Sequence, residues 1–416
     1  MHTMIMKRTI RNNVKWYSWQ SDVIRGVITQ GRGKIHVVKS SRQCGKSVMC
    51  ESIILKYAVD IKGSFSMYLS PTIKQARKVF KEIVRAISKS SIFLKSNESF
   101  LEITFKNGST IAFCSAGQGE NLRGYTVSGV LIIDEAAYIE DDVFNAILPT
   151  TDVHSAPIVI VSTPRFRTGF FYDYYVDGLE HLSSIFSYNW SDYDKSSVLT
   201  KERLEFYRQR LPKDKFTQDY LGEFTDVGFG VFGEFDKVLW KPVNPSYDGC
   251  VMGVDWSTGS GGDETAIAVF NNQKEMIDLV HFNDLNDIQT IDKVIELIRK
   301  YNVIKVTVEL NSIGKLFYNM LQRKIQECNL QCVLKGFNTT NSSKQKIVNK
   351  LQVAVQNRSC KLLKDEKLIS QLGAFESKLT SAGKVTYAGS KNSHDDLVLA
   401  TLFAFDTLST GTYNII

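Results

Sequence analysis

No stretch of the chain holds an apolar run long enough to cross a membrane, and Met1 to Ile10 carries basic residues without the apolar core of a secretory signal. No membrane association is expected, and the cytoplasm is the expected place of action. The seven cysteines (Cys44, Cys50, Cys114, Cys250, Cys328, Cys332 and Cys360) include no pair of C-x-x-C clusters, and Cys328 and Cys332 have no histidines beside them. That spacing argues against a structural zinc site, so reduced, mostly buried thiols are expected. Internal repeats and low-complexity tracts are also missing. With 43% hydrophobic and 23% charged residues the composition is globular, neither disordered nor fibrous. The formal net charge of +7 is compatible with a polyanionic partner without establishing one.

A length of 416 residues fits two domains, each able to bury its own core. Ile35 to Lys39 is a β-branched run that leads through a candidate phosphate loop into a helical stretch, Lys46 to about Val59. Phe65 to Ser70 repeats the strand signal, and Ile73 to Ile87 has helical spacing with a basic outer face. Leu101 to Phe105 and Thr110 to Cys114 flank Lys106-Asn107-Gly108-Ser109, which predicts a hairpin. Val130 to Ile133 and Ile158 to Ser162 are apolar runs of the kind buried on both faces of a parallel sheet. Residues 1–225 therefore read as an α/β domain, with about 165–225 resembling a lid appended to its sheet. Gly228, Gly230, Gly233, Pro242 and Pro245 mark 226–247 as a linker. In 248–416, three strand-like runs precede a helix, a further strand and a final helix near His394, an RNase H-like α/β layout.

A phosphate loop needs consecutive backbone N–H groups at a helix N-terminus, a lysine for the β and γ phosphates and a hydroxyl for magnesium. In Ser40-Ser41-Arg42-Gln43-Cys44-Gly45-Lys46-Ser47 the last two residues fill the side-chain roles, and Ser41, Arg42, Gln43, Cys44 and Gly45 supply the loop. Ser40 replaces the usual first glycine. Val130 to Glu135 ends an apolar strand in two acids, with Asp134 suited to the metal shell and Glu135 to the attacking water. ATP with Mg²⁺ is the expected ligand. Arg42 either neutralises charge on the γ-phosphate, an effect worth about 10³ or more in rate, or bonds the loop backbone.

The second half carries acids in the order strand, strand, helix: Asp255 after Val251 to Val254, Glu309 after Val306 to Val308, and Asp395 with Asp396 ahead of Leu397 to Ala400. Two-metal phosphodiester cleavage requires carboxylates converging on ions about 3.5 to 4 Å apart, so two Mg²⁺ or Mn²⁺ ions are expected. Either of Asp395 and Asp396 could be the direct ligand, and either could simply cap the helix. His394 fits a ligand or a cap, and Asp263 a ligand or a turn former. Lys344, Lys346 and Lys350 fit either a phosphate grip or a solvated helix face.

Ser41 to Ser47, Leu131 to Ala136, Asn121-Leu122-Arg123-Gly124 and Ser162-Thr163-Pro164 resemble the ATPase motifs of the large terminase subunit of tailed bacteriophages. The acid order and the segment Asp255 to Glu264 resemble that family's nuclease. The resemblance implies that Arg42 is an arginine finger, that Ser162, Thr163 and Pro164 couple hydrolysis to movement, and that Gln20 in Tyr17-Ser18-Trp19-Gln20 reads adenine, with Trp16 or Tyr17 available to stack on it. It further implies a subunit that drives double-stranded DNA into a procapsid and cuts concatemers in the host cell cytoplasm. The implied partners are a small terminase subunit, the portal ring and further copies of the chain assembled on that portal. Two rival readings are a helicase or DNA-repair ATPase fused to a structure-specific nuclease, and a non-catalytic scaffold on a decayed ATPase fold.

Overall fold

The computed structural model describes residues 16–180, 184–191, 199–227, 230–257, 264–311, 313–380, 384–390 and 394–409. Two compact units emerge. The first is built from described residues up to 204 with 214–226, the second from 205–213, 227–380 and residues from 384 onward.

The first unit is organised by one eight-stranded sheet. Its strands are β1 (Ile35–Ser40), β2 (Phe65–Ser70), β3 (Phe93–Asn97), β4 (Glu102–Phe105), β5 (Thr110–Ser115), β6 (Leu131–Asp134), β7 (Ile158–Ser162) and β8 (Ile185–Trp190). They lie in the order β3-β4-β5-β2-β6-β7-β1-β8. The six strands from β5 to β8 are parallel, while β3 and β4 run antiparallel as an edge. The predicted hairpin is the β4–β5 pair, with Thr104 opposite Thr110. Helices Lys46–Asp60 and Ile73–Ile87 cover one face and Phe170–Leu179 the other, so β6 and β7 are buried throughout, as their apolar runs require, and β2 is buried from Ser66 onward. Residues 185–190, which the sequence assigns to an appended lid, form the edge strand β8 paired to β1. Their alternating aromatic residues cover the sheet beside His36 and Trp19, a use that composition alone does not reveal.

In the second unit, β9 (Leu239–Trp240) precedes a five-stranded sheet of β10 (Val251–Asp255), β11 (Thr265–Phe270), β12 (Met276–Phe282), β13 (Lys305–Glu309) and β14 (Val333–Phe337), in the order β12-β11-β10-β13-β14. The first three strands are antiparallel neighbours and the last two join in parallel. Two small pairs complete it: β9 with β15 (Leu362–Leu363), and β16 (Phe375–Leu379) with β17 (Val385–Gly389). Helices Asp287–Lys300 and Gly314–Glu327 pack on one face, and Asn341–Gln356, Glu366–Ala374 and Asp396–Ser409 on the other. The stretch read as a linker is not bare. Phe232 and Val238 are buried in this core and β9 pairs with β15, because apolar residues between the glycines supply enough surface to pack.

Gly253 positions the last helix. A Cβ there would collide with Ala400 O and Ala404 N, so only glycine lets the helix backbone lie directly on β10.

Candidate active sites

The loop from Ser41 to Gly45 joins β1 to the helix Lys46–Asp60, and Gln43 (φ 61°) and Gly45 (φ 85°) both adopt the left-handed conformation. Such alternation turns successive N–H groups into one concavity. Lys46 is buried, its Nζ donating to Ser41 O at 2.9 Å and Thr163 Oγ1 at 2.9 Å. The lysine and the first threonine-bearing position after β7 thus meet above adjacent strand tips. Ser162 Oγ donates to Thr163 O and accepts from Ala137 N–H at 3.2 Å, tying the same segment to the turn that follows Glu135.

Asp134 ends β6 and is buried, with Oδ2 accepting from Tyr68 OH at 2.5 Å. Burial and the charge of Glu135 push its pKa up to about 6, against the opposing pull of the Tyr68 bond and Lys46. The Lys46 influence brings loop lysine and strand acid into one electrostatic site. Glu135 sits at φ 52°, an uncommon conformation for a residue with a side chain, and its N–H bonds Asp134 Oδ1 at 2.9 Å.

Arg42 is 59% exposed at its side chain and pairs with buried Asp219 at 3.3 Å, while its N–H donates to Asp219 O at 2.8 Å. Asp219 lies on the π-helical turn Thr217–Leu221 and also accepts from Lys215. Sequence reasoning missed this acid, because nothing near it in the chain points to a loop 177 positions away. Gln20 is committed at both ends of its amide: Oε1 accepts from Tyr17 N–H and Nε2 donates to Gly45 O, each at 3.0 Å. It braces the loop directly. Tyr17 lies 6.4 Å from the Trp190 ring, and Trp16 packs on the core.

In the second unit Val254 pairs with Val308, so Asp255 and Glu309 stand at neighbouring strand tips. Thr307 bonds Thr407 at 2.6 Å, which shows that the 307 and 309 side of β13 faces the last helix, whose first residue is Asp396. Asp255 is only 6% exposed. Burial first, then the charges of Glu309, Asp396 and Asp395, raise its pKa well above the carboxylate range, with Lys344 opposing. Asp396 Oδ2 accepts from Glu264 N–H at 3.1 Å, and Asp395 Oδ2 pairs with Lys344 Nζ at 3.1 Å. Among the described residues no three acidic, histidine or cysteine side chains already converge as a metal cage. His394 is exposed ahead of the helix, and Asp263 lies outside the described residues.

Of the three lysines that fit either a phosphate grip or a solvated helix face, Lys344 pairs with Asp395 and Lys350 with Asp406, and Lys346 is exposed. All seven cysteines are free, five of them buried. Among the described residues no helix is long and apolar enough to cross a membrane.

Residues 38–237 match the family model "Terminase large subunit, T4likevirus-type, N-terminal", and residues 252–408 match "Terminase RNaseH-like domain". The chain belongs to the large terminase subunit family. The large terminase subunit of Thermus phage G20c is 23% identical over 91% of this chain and 85% of its own length, and that of Thermus virus P23-45 is 22% identical over the same shares. The large terminase of a thermophilic bacteriophage has the same fold, with a TM-score of 0.59 and 14% identity over 96% of this chain and all of that one. A second structure of that protein, in complex with ADP, aligns with a TM-score of 0.56 and 14% identity over 95% of this chain and all of that one. The large terminase expected from the motifs is thus established, as is an α/β ATPase followed by an RNase H-like nuclease. This is a viral DNA-packaging subunit with ATPase and endonuclease halves, which sets aside the helicase or repair ATPase and the decayed scaffold.

Proposed function

We propose that the first unit hydrolyses ATP at the loop Ser41 to Ser47 and that the second cuts duplex DNA at Asp255, Glu309, Asp395 and Asp396. Hydrolysis drives double-stranded DNA into a procapsid, and cutting separates one genome from a concatemer. On this reading residues up to about 225, apart from 205–213, are the ATPase domain. Those from 248 onward, with the segment before them packed on their core, are the nuclease domain.

In the ATPase, backbone N–H groups of Ser41 to Gly45 cradle phosphate, Lys46 moves from Thr163 to the β and γ phosphates, and Arg42 leaves Asp219 to meet charge developing on the γ-phosphate. Ser47 and Asp134 would hold Mg²⁺, Glu135 would orient and deprotonate the attacking water, and Gln20 would contact the base from the edge of the loop. Ser162, Thr163 and Pro164 carry the change onward, since Thr163 releases Lys46 as phosphate arrives.

Carboxylate oxygens are the donors that Mg²⁺ and Mn²⁺ prefer, and the crowding of charge on buried Asp255 is the imbalance that a cation relieves. Bound in pairs, such ions supply an activated water and stabilise the leaving oxygen. Asp255, Glu309, Asp395 and Asp396 then align the scissile phosphate, with His394 and Asp263 as further candidates for orienting water. Lys74, Arg77, Lys78, Lys81 and Arg85, exposed on the helix Ile73–Ile87, suit a sequence-independent grip on DNA phosphates. The partners on this reading are the portal ring, a small terminase subunit and further copies of the chain, in the host cytoplasm.

The observation that carries the nuclease reading is the action of three further acids on buried Asp255. Cleavage of supercoiled plasmid with Mn²⁺, followed beside ATP turnover, tests it. Asp255→Asn should abolish cutting and keep ATP turnover, and Glu135→Gln should do the reverse. Cutting that survives Asp255→Asn in clean protein would remove the acid assignment.

A further inference from the structure

Lys344 stands in the first turn of the helix Asn341–Gln356, where its N–H bonds Thr340 O. This is the positive end of the helix dipole, an unfavourable place for an ammonium group. Its environment compensates. Nζ donates to Asp395 Oδ2 at 3.1 Å and lies 5.6 Å from the centre of the buried Phe375 ring, and only 15% of the side chain is exposed. A lysine gripping DNA would instead present its charge to solvent.

Asp395 is equally out of its ordinary role. It precedes the helix Asp396–Ser409, and its carbonyl accepts from Leu399 N–H, which places it at the N-cap. There an aspartate normally uses its carboxylate to accept an N–H of the first turn. The N–H of Leu397 is instead taken by Gln371 Oε1, at 2.9 Å, from the helix Glu366–Ala374. Gln371 thus caps this turn in place of Asp395, whose carboxylate turns to Lys344.

We propose that Lys344 is a built-in counter-cation of the acid cluster, whose ammonium competes with a divalent ion for Asp395 and is displaced when that ion binds. The inference rests on the reading of Asp255, Glu309, Asp395 and Asp396 as metal-binding acids. Lys344 lowers repulsion among the acids while no ion is bound, and it weakens ion binding by the same interaction. It is a positioning residue, held beside the Phe375 ring, while Gln371 leaves the Asp395 carboxylate to it by capping Leu397.

The test is a Mn²⁺ titration of the full chain without DNA, followed by thermal unfolding, on wild type, Lys344→Met, Lys344→Gln and Asp255→Asn. Without Mn²⁺, Lys344→Met should melt below wild type. It should half-saturate at a roughly threefold to tenfold lower Mn²⁺ concentration, and the gap in Tm should close at saturation. Lys344→Gln keeps a donor but no charge and gives the same answer should Lys344→Met fail to fold. Unchanged or weaker Mn²⁺ binding in the lysine variants, with the response still lost in Asp255→Asn, overturns the role of Lys344 and leaves the acid site standing. A wild-type response that Asp255→Asn does not alter overturns both.

Discussion

His36 shows how one side chain constrains the ATPase unit from beneath its loop. It lies on β1, fully buried, with Nδ1 3.2 Å from Tyr188 OH and its ring stacked 5.4 Å from Phe186. Burial lowers its pKa from 6.5 to about 4, so between those values the unfolded chain takes up a proton that the folded one refuses. Stability therefore falls as pH drops through that window, by up to about 3 kcal/mol near pH 4. His36→Gln should remove this part of the acid sensitivity, measured as the difference in unfolding midpoints between pH 7 and pH 5. An equal pH response in both proteins would mean that His36 is protonated in the fold. At this scale the candidate acids and the loop lysine were legible: Lys46, Asp134, Glu135, Asp255 and Glu309 announce themselves through short local patterns, and the fold sets them at strand ends and a helix start. Their partners were not. Tyr68 is 66 positions from Asp134, and Lys344 is 51 from Asp395, distances over which local spacing carries no signal.

Among elements, the contact between β10 and the helix Asp396–Ser409 matters most for the acid cluster, because it carries Asp255 on one side and Asp396 on the other. A methyl group at Gly253 must push the helix backbone away, since backbone atoms cannot rotate aside as a side chain can. Gly253→Ala should destabilise the second unit by about 1 to 3 kcal/mol or more. It should also slow plasmid cleavage by about 100-fold, the cost of roughly 1 Å of misplacement in an active site. ATP turnover measured on the same protein should be unchanged. Full cleavage by this variant would show that the acids tolerate displacement of the helix. Gly314 acts similarly behind Glu309, where a Cβ would collide with the Glu309 carbonyl. Neither requirement is visible in sequence, because a glycine in a strand or at a helix start reads only as a weak point until the approaching backbone is known.

For the whole molecule, two sites in two separately packed units should respond separately to their ligands. ATP with Mg²⁺ at 100 times its dissociation constant should stabilise the first unit by about 2.7 kcal/mol. Mn²⁺ should raise only the transition of the second unit, and Asp255→Asn should abolish that shift. Calorimetry of wild type, Glu135→Gln and Asp255→Asn would check this, and one transition moved equally by both ligands would show a single cooperative unit. Chain order and residue type by themselves determined the two α/β units, the phosphate loop, the paired acids at β6 and the three-part acid order, because strands, turns and loop motifs are written in neighbours along the chain. Packing decided the rest. It made 185–190 a sheet edge, drew Phe232 and Val238 into a core, gave Arg42 to Asp219 and turned Asp395 from its helix to Lys344. An acid at a strand end looks the same in sequence whether it caps, pairs or awaits a cation, and only the groups that folding brings against it decide which.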